Sequence, residues 1–457
     1  MEAEILIIPF PHPGHIFPAT ELANHLAGRN LRITLLLPST SSSVSLHPLI
    51  RIHEFSVPSL IRFRPGLLEE IIIPLLTKLS SSSRPLCAIV DEMMGWIFDT
   101  CQELKIPTVS FFTSSACSAA LEHATSRFPK DEVNPSRLLT IPGLPDDMVL
   151  TASDMTHLGP PPRFQRNTGP GGPDGPSRNH GPRKRGLVAS SSTVAFLMNT
   201  CDELERVFLD YLAAEAGKPV WCVGPLLPVR FWETTGSGLV RDGEVRAKLE
   251  SSVSEKDVIE WLDGKPRGSV IYVSFGSLVA PTEEELIELA AGLEDSNQPF
   301  IWAVQAGTEI VKNGFFSRDE FAHRTKGKGL VINGWAPQLL ILSHVATGGY
   351  VCHCGWNSTL EALGCGVPVL TWPVRGDQIL NAKLMTNRLK VGLPIKAEAD
   401  AVVTRADVAN GIKKLMADDE VKKRTASIRS IFSQGFPKSS SASLDVFVNF
   451  LTTSTKY

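Results

Sequence analysis

Short apolar segments alternate with segments of helical periodicity along the whole chain. In the first half the order is "EILIIPF", "PATELANHLAGR" and "LRITLLLP", then "LCAIVDE", "GWIFDTCQELK" and "IPTVSFFT". The second half repeats it, with "GSVIYVSFGS" before "PTEEELIELAAGLEDS", "GYVCH" before "NSTLEALGCG" and "VPVLTWP" before "DQILNAKLMTNRL". Strand, helix and strand in repetition predict a parallel sheet covered by helices on both faces. The sequence therefore predicts an α/β protein with two doubly wound halves in tandem.

The length of the chain also favours two domains, because 457 residues, 43% of them hydrophobic, exceed what one ordinary core holds. The segment 229–256 is polar and carries Gly and Ser, which suits a linker. We therefore expect one domain over 1–228 and a second over 257–436. A C-terminal helix over 437–457 is expected to pack back on the first domain.

The segment 159–186 is dense in Pro and Gly and holds five Arg and one Lys against one Asp. Such a composition cannot bury a core, so it predicts a mobile surface loop inside the first domain. The basic run Arg183, Lys184 and Arg185 could be a nuclear or polyanion signal. Three residues are short for such a signal, which favours a solvated loop.

Charge and hydropathy exclude several classes of partner. The net charge of -3 and the pI near 6.4 give no electrostatic case for nucleic acid or an anionic membrane as the main partner. No apolar run approaches the roughly 18 residues of a membrane span, and the start "MEAEILIIPFPHPGH" lacks a basic leader. We expect a cytoplasmic monomer that does not insert into a membrane.

The cysteines are scattered and include no Cys-x-x-Cys pair, which predicts reduced thiols rather than a disulfide framework or a zinc ribbon. Cys352, His353 and Cys354 are adjacent in "GYVCHC". Side chains alternate along a strand, so the histidine would point away from the two cysteines, and no second Cys or His cluster completes a tetrahedron. The sequence therefore predicts no metal site at this position.

The residues after His353 open a helix directly after a strand, in "GWNSTLEAL". The first N–H groups of a helix have no intrahelical partner and lie at the positive end of its dipole, so such a turn can receive a phosphate. Asn357 and Ser358 stand at this opening. Alternatively, Ser358 and Glu361 form a Ser-x-x-Glu capping box that does no more than stabilise the helix.

A longer stretch around this helix resembles a family signature. From Trp335 to Gln378 the chain reads "WAPQLLILSHVATGGYVCHCGWNSTLEALGCGVPVLTWPVRGDQ", which is similar to the signature box of plant family 1 UDP-sugar-dependent glycosyltransferases. Two departures are Cys352, where Thr is usual, and Tyr350, where Phe is common. The stretches "FPHPGHIFP", "FLMNTCDELE", "VWCVGPLLP" and "VIYVSFGS" look like further landmarks of the family, so the resemblance covers nearly the whole chain.

The resemblance implies a GT-B fold, in which two facing Rossmann-like domains enclose a cleft, and a UDP-sugar donor with no further cofactor. Matched position by position, it implies that Trp335 stacks on the uracil, that Ala336 and Gln338 bond its edge, and that Glu361 binds the ribose hydroxyls. The diphosphate would be held by His353, Asn357, Ser358 and Ser277. The sugar would be surrounded by Trp356, Asp377, Gln378 and Thr113.

Glycosyl transfer to a hydroxyl needs a base, because an alcohol or phenol attacks well only as its proton leaves. His15 matches the family's catalytic histidine, and Asp91, ending "CAIVD", matches the aspartate that would stabilise its cationic form. His12 is a rival base, but it falls where the family carries no catalytic group. Asp91 could instead cap the helix after it, and Asp99 and Glu92 are weaker partners because neither ends a strand. The pair implies an inverting single displacement without a metal.

Gln378 closes the box, and in this family Gln at that position goes with glucose whereas His often goes with galactose, so the resemblance favours glucose. Phe17, Trp96 and Phe111 could line an apolar pocket for a flavonoid or another phenol, while a terpenoid acceptor and C-glycosylation stay open. A Rossmann oxidoreductase is disfavoured, because neither half has a Gly-x-Gly-x-x-Gly turn after a strand. A non-catalytic UDP-sugar-binding protein would keep the box but lose the pair of His15 and Asp91.

Overall fold

The computed structural model describes eleven stretches of the chain, which carry all the elements discussed below. They are residues 4–39, 46–56, 65–82, 85–127, 138–157, 192–233, 239–245, 250–277, 280–304, 318–396 and 402–454. The Pro- and Gly-rich segment predicted over 159–186 lies outside the described residues.

The first sheet is parallel throughout. Its strands are β1 Glu4–Ile8, β2 Arg32–Pro38, β3 Ile50–Phe55, β4 Cys87–Asp91, β5 Thr108–Phe112, β6 Ala195–Met198 and β7 Val220–Cys222. They lie in the order β3-β2-β1-β4-β5-β6-β7. All five residues of β4 and of β5 are buried, as expected for strands that helices cover on both faces.

The second sheet repeats this plan. Its strands are β8 Val270–Ser274, β9 Phe300–Val304, β10 Gly329–Asn333, β11 Thr347–Cys352, β12 Val369–Thr371 and β13 Gly392–Pro394. They lie in the order β10-β9-β8-β11-β12-β13, again parallel. The two sheets confirm the predicted α/β fold class with two doubly wound halves.

Helices connect the strands and cover the sheets. In the first half they are α1 Pro13–Ala27, α2 Pro65–Ser82, α3 Ile97–Glu103, α4 Ala116–Thr125, α5 Ala152–His157 and α6 Asp202–Ala216. After β7 they are α7 Val229–Glu233, α8 Asp242–Val245, α9 Glu255–Asp263, α10 Glu283–Ser296, α11 Arg318–Arg324, α12 Gln338–Ser343, α13 Trp356–Cys365, α14 Asp377–Lys383, α15 Arg405–Ala417, α16 Asp419–Phe432 and α17 Lys438–Ser454. Local sequence sets several ends: Thr282 and Glu285 form a capping box at the start of α10, and Asn297 ends it in the left-handed conformation.

The strand order reverses at one point in each sheet, which is where ligands bind in such folds. In the first sheet the reversal lies between β1 and β4, and in the second between β8 and β11. Ligands of open parallel sheets bind beyond the carboxyl ends of the strands beside such a reversal. Ligand-binding residues are therefore expected directly after β1, β4, β8 and β11.

The last helix returns to the first half of the chain. Leu444, Phe447 and Leu451 of α17 are buried in one hydrophobic cluster with residues of the first sheet. The Phe447 ring lies 5.5 Å from that of Trp221 on β7, and Arg29 forms a 2.7 Å ion pair with Asp445. These contacts hold α17 against the first sheet.

The segment expected to be a polar linker carries structure of its own. It includes α7 and α8, and the Trp232 side chain is buried against the rings of Phe432 and Phe436. The polar composition that favoured a linker gives no indication of this single aromatic anchor. The domain boundaries at residues 228, 256 and 436 stay predictions.

Candidate active site

The ends of three neighbouring strands bring a histidine, an aspartate and a threonine together. His15 lies in the first turn of α1, directly after β1, while Asp91 ends β4 and Thr113 follows β5. Because β1, β4 and β5 are adjacent and parallel, their carboxyl ends share one edge of the sheet. His15 Nδ1 lies 2.8 Å from Asp91 Oδ2 and 2.9 Å from Thr113 Oγ1. Sheet topology alone brings together these side chains, which are 76 and 98 residues apart in the sequence.

The two oxygens of Asp91 have separate partners. Oδ1 accepts a hydrogen bond of 2.9 Å from the backbone N–H of Met93, which caps the short 3-10 helix Glu92–Met94. Oδ2 faces His15. Capping and pairing with the histidine, which the sequence left as alternatives, therefore occur in the same side chain. A carboxylate at Nδ1 favours the hydrogen on that nitrogen, so Nε2 is left to accept a proton.

The electrostatic environment of His15 favours its cationic form. Burial acts to lower its pKa, but the charge of Asp91, the hydrogen bond with it and the charge of Asp377 together raise the pKa above 6.5. The Asp91 side chain is fully buried, whereas that of His15 keeps 17% exposure. The pair thus combines a buried anion with an imidazole that a small molecule can reach.

His12 lies three residues before His15 and has different partners. It is the N-cap residue of α1, and its Nδ1 accepts a hydrogen bond of 3.3 Å from the backbone N–H of Gly14. Its Nε2 lies 3.3 Å from Ser277 Oγ, which follows β8 in the second half. Burial, and then the nearby charge of His15, lower the pKa of His12 to about 4. His12 is therefore neutral near pH 7 and joins the two halves.

A second contact between the halves lies beside the first. Asn357 Nδ2, in the first turn of α13, donates a hydrogen bond of 2.6 Å to the carbonyl of Gly14. Its Oδ1 lies 3.5 Å from Asn199 Nδ2, which is the donor. The peptide that carries His15 is thus held directly against the start of α13.

The start of α13 has the features of an anion site. Its N-cap residue is Gly355, which provides no side-chain hydrogen bond, so Ser358 and Glu361 do not form the alternative capping box. The His353 ring lies over two glycines: an added Cβ on Gly355 or Gly276 would stand 2.4 or 2.7 Å from its Nε2. Among the described residues, the buried Nδ1 of His353 has no hydrogen-bond partner. Uncapped N–H groups and an unpaired ring nitrogen together suit a phosphate.

Gln338 is the centre of a hydrogen-bond network of two tyrosines, a serine and a glutamate. Its Oε1 accepts from the hydroxyls of Tyr272 and Tyr350, both at 3.2 Å. Its Nε2 donates to Ser358 Oγ at 3.0 Å and to Glu361 Oε2 at 2.7 Å. These four bonds use the full capacity of a carboxamide. The side chain of Gln338 therefore orients Glu361 and Ser358, and it has no vacant position for the uracil edge that the resemblance implied.

Trp335 and Ala336 lie where β10 has ended and α12 is about to begin. The backbone N–H of Trp335 donates a hydrogen bond of 2.8 Å to the carbonyl of Glu250. Its half-buried ring packs edge-on against Phe17 of α1, with the ring centroids 6.0 Å apart. Ala336 is buried. The indole thus keeps a free surface at the junction of the two halves, as a stacking platform for a flat base requires.

All four residues expected around a sugar have well-defined partners within the protein. Trp356 is buried and donates from Nε1 to the carbonyl of Asn199 at 2.7 Å, so its indole holds the halves together. Asp377 accepts from Asn381 Nδ2 at 3.0 Å, and burial raises its pKa above 3.8 against the opposing effects of Asn381, His353 and His15. Thr113 contacts His15.

Gln378 is buried at the start of α14. Its Oε1 accepts from the backbone N–H groups of Val374 and Arg375, at 3.0 and 3.2 Å. This orientation fixes the amide, because the oxygen must face the two donors. The NH₂ group is what remains to bind a sugar hydroxyl.

Sequence reasoning missed the residues that join the halves. Asn199 contacts both Trp356 and Asn357, and Ser115 Oγ donates to Asn381 Oδ1 at 2.6 Å across the same junction. Asn199 lies in "FLMNTCDELE", a stretch whose family resemblance was the available signal. The expectation for Phe111 was wrong: it lies on the face of β5 that packs into the core, is 1% exposed and cannot line a pocket.

The described residues contain no group of three or more His, Cys, Asp and Glu side chains placed to hold a metal ion. Cys352 ends β11 and Cys354 follows in the left-handed conformation, so the strand alternation assumed for "GYVCHC" stops before His353. Each of the chain's eight cysteines is a buried free thiol. Within the described part of the chain, we find no helix with the length and apolar character needed to cross a bilayer.

Comparison with known proteins assigns the chain to a family. The family model described as "UDP-glucoronosyl and UDP-glucosyl transferase" matches residues 218–437. Abscisate beta-glucosyltransferase of Phaseolus angularis is 32% identical over 93% of this chain and 91% of its own length. Flavonol 3-O-glucosyltransferase of Arabidopsis thaliana is 32% identical over 94% and 90% of the respective chains.

Solved structures agree with this assignment and confirm the GT-B fold. Medicago truncatula UGT71G1 complexed with UDP-glucose is 25% identical, with a TM-score of 0.77 over 99% of this chain and 98% of that one. A Siraitia grosvenorii transferase in complex with UDP is 26% identical, with a TM-score of 0.75 over 99% and 100% of the two chains. The chain therefore belongs to the plant family 1 UDP-sugar-dependent glycosyltransferases and is a UDP-glycosyltransferase acting on plant small molecules.

Proposed function

We propose that this chain transfers glucose from UDP-glucose to a hydroxyl of a small lipophilic acceptor, such as a flavonoid or another phenol, with inversion at the anomeric carbon. The observation that carries the proposal is the His15–Asp91 pair, 2.8 Å apart, on a peptide that Asn357 holds against the start of α13. A base and an anion site then face the same junction. Transfer from a nucleotide sugar needs both, because a proton and a diphosphate must leave different atoms in one step.

In the proposed step, Nε2 of His15 takes the acceptor proton as the acceptor oxygen bonds to the anomeric carbon. The bond from that carbon to the diphosphate oxygen breaks, and UDP leaves with the electron pair. Asp91 stabilises the imidazolium that forms, by charge and through Nδ1. One displacement inverts the configuration. The N–H groups at the start of α13 offset the charge that develops on the leaving diphosphate.

We assign the donor contacts by chemistry. An indole face suits a flat base and a carboxylate suits a vicinal diol, which gives Trp335 the uracil and Glu361 the ribose. Ala336 and Gln338 flank the base, with Gln338 acting through Glu361. Phosphate contacts fall to His353, Asn357, Ser358 and Ser277. Sugar contacts fall to Asp377, Gln378, Thr113 and the backbone at Trp356.

Glucose is the donor sugar that the relatives' names support. Scopoletin glucosyltransferase of Nicotiana tabacum, at 31% identity, and the abscisate and flavonol enzymes all carry glucosyl transfer in their names. The acceptors of these relatives differ at nearly equal identity. The choice of a phenol therefore rests on two half-buried aromatic side chains, Phe17, two residues after His15, and Trp96, five residues after Asp91. A cytoplasmic monomer stays a prediction.

The test combines a screen with one substitution. Purified protein is incubated with UDP-glucose and a panel of phenols and terpenoids, and products are identified by mass and by resistance of the new linkage to acid, which separates C- from O-glycosides. His15→Ala is expected to keep less than about a tenth of turnover on a phenol of ordinary acidity, since general base catalysis contributes about 10²- to 10⁴-fold. UDP affinity by calorimetry should stay within a few-fold.

Each alternative has its own outcome in this experiment. UDP binding without product from any acceptor would identify a non-catalytic UDP-sugar-binding protein. Product from terpenoids alone would show that the acceptor is a terpenoid and not a phenol. A His15→Ala variant that keeps more than about a tenth of turnover would show that another group is the base.

A further inference from the structure

His12 has a contact that its role as a helix cap does not explain. Its Nδ1 accepts from the backbone N–H of Gly14 at 3.3 Å and thereby caps α1. On the opposite side of the ring, Nε2 lies 3.3 Å from Ser277 Oγ in the other half of the molecule. Asn or Ser is the preferred cap and would satisfy the helix with fewer atoms. What the imidazole adds is reach across the junction to Ser277.

The hydrogen positions along this path follow from the donors. A backbone N–H can only donate, so Nδ1 of His12 must be the bare nitrogen. A neutral imidazole carries one hydrogen, which then lies on Nε2. Burial keeps the pKa of His12 low, at about 4, so the neutral form is present near pH 7. His12 therefore donates to Ser277 Oγ, and the serine is the acceptor.

This assignment restricts the direction of the serine hydroxyl. Because its oxygen accepts from His12, the hydrogen of Ser277 must be donated elsewhere, and among the described residues the serine side chain has no other partner. Ser277 follows β8, which pairs with β11, and His353 follows β11. The hydroxyl thus lies at the reversal point of the second sheet, one residue after Gly276, on which an added Cβ would stand 2.7 Å from His353 Nε2.

We propose that His12 is a positioning residue for the donor: its Nε2–H holds the Ser277 hydroxyl so that the serine hydrogen is directed at the diphosphate of the UDP-sugar. This inference rests on the proposed donor site. The same contact ties the peptide of His15 to the donor-binding half, so the base and the phosphate contact share one support. A serine that rotates freely would have to lose that freedom on each binding event, which weakens binding.

Two substitutions separate the cap from the contact with Ser277. His12→Asn places an oxygen near the position of Nδ1, which keeps the cap, but the side chain is too short to reach Ser277. His12→Gln places an amide nitrogen near the position of Nε2, which can still donate to Ser277, but it has no atom near Nδ1. The two variants therefore lose opposite halves of the function of His12.

The readouts are the melting temperature and the affinities for UDP and for uridine, which lacks phosphates. We expect His12→Asn to keep the melting temperature and to weaken UDP binding about three- to tenfold, the effect of one hydrogen bond, with uridine affinity unchanged. His12→Gln should bind UDP nearly as wild type does and melt about 2–4 °C lower, because it loses a helix cap. In a Ser277→Ala background, His12→Asn should have no further effect on UDP binding.

The outcomes that overturn the inference are distinct from failure of the proposed function. If wild type binds UDP no better than uridine, the proposed donor site itself fails. If wild type binds UDP better than uridine but the His12→Asn and His12→Gln variants bind UDP equally, His12 does not act through Ser277. The same conclusion follows if the effects of His12→Asn and Ser277→Ala on UDP binding are additive. Equal losses of UDP and uridine affinity in His12→Asn would show a displaced loop instead of a misdirected hydroxyl.

Discussion

The two halves of the molecule share a sheet plan but assemble their sides of the site differently. In the second half, most of the expected donor residues come from one contiguous segment, 335–378, which runs from the end of β10 to the start of α14. In the first half, the groups come from three strand ends at His15, Asp91 and Thr113. In a contiguous segment, the relative positions of the residues follow from their spacing in the sequence. Scattered strand ends are united only by the order of strands in the sheet.

The chemistry of the two sides differs as well. The first side depends on an ion pair, in which the charge of Asp91 changes the pKa of His15. The second side depends on hydrogen bonds of amide side chains, such as the four made by Gln338, one of them to Glu361, and the two that Gln378 accepts. Proton transfer is therefore concentrated in few groups and recognition is spread over many. Single substitutions should have large effects on rate on the first side and smaller, graded effects on affinity on the second.

Asp91→Asn should have the largest effect and tests the first side. We expect turnover to fall by about 10²- to 10⁴-fold, because the imidazolium loses its anion and the tautomer is less well fixed. The pH dependence of the activity should also change in a defined direction. Asp91 helps to raise the pKa of His15, and burial acts to lower it, so removing the charge lowers that pKa. Because the base acts when neutral, the rising limb of kcat/KM should move to lower pH, as measured by a pH series on the residual activity.

A rising limb that stays in place or moves to higher pH would contradict the assignment of Asp91 as the partner of His15. The control is Asp99→Asn, since Asp99 lies in α3 away from the strand end and should leave both rate and pH profile unchanged. UDP affinity should be unaffected in both variants. Loss of UDP binding in Asp91→Asn would show that the two sides are less separate than the structure indicates.

The sequence predicted the fold and the family because both depend on local pattern. Strand and helix periodicity gave two doubly wound halves, and the spacing within 335–378 gave the family. His15, Asp91 and Thr113 were identified through the family resemblance, and the order of β1, β4 and β5 in the sheet explains why they lie together. Contacts between the halves could not be predicted, because Asn199 and Ser277 meet partners more than 150 residues away that no local pattern relates to them.

The sequence also misjudged what individual side chains do. Gln338 was expected to bond the base, but neighbours on β8 and β11 occupy its amide oxygen, and only the packed sheet reveals them. Phe111 was expected at a pocket, but both faces of β5 are covered, so its ring is buried in the core. In both cases the residue type was compatible with two environments, and tertiary packing selected one.

Gln338→Ala is expected to have an intermediate effect and tests the second side. The substitution removes the hydrogen bonds that the buried Glu361 and the hydroxyls of Tyr272 and Tyr350 make with Gln338, and each lost bond costs about 1–3 kcal/mol. UDP affinity should fall about 10- to 100-fold, because Glu361 is no longer held in place, and the melting temperature should fall too. Calorimetry with UDP and with uridine should show the same loss, since the ribose is common to both.

The matched control is Tyr350→Phe, which removes one donor to Gln338 Oε1 and leaves both bonds from Nε2. UDP affinity should change by less than about threefold in this variant, within the range of one modest hydrogen bond. If Gln338→Ala binds UDP as wild type does, the network stabilises the fold without orienting Glu361. If Tyr350→Phe is as damaging as Gln338→Ala, the tyrosine has a role of its own.

The smallest expected effect concerns the choice between donor sugars at Gln378. Its Oε1 is held by two backbone N–H groups, so its NH₂ can only donate to a sugar hydroxyl. One mispaired polar contact in a closed site costs about 1–3 kcal/mol, which corresponds to roughly a ten- to a hundredfold change in rate. We expect wild type to prefer UDP-glucose over UDP-galactose by at least about tenfold, and Gln378→His to narrow that ratio mainly by losing activity with glucose.

Gln378→Glu sharpens this test, because the carboxylate keeps an oxygen for the N–H groups of Val374 and Arg375 and replaces the NH₂ donor by an acceptor of nearly the same shape. Competition assays with both donors should show a loss of glucose preference in Gln378→Glu similar to that in Gln378→His, with a melting temperature close to wild type. An unchanged ratio in both variants would move donor selection to Asp377 and Thr113. Thr113 contacts His15, so the sugar would then be read partly by the first half, and the division between a catalytic side and a recognition side would fail at that residue.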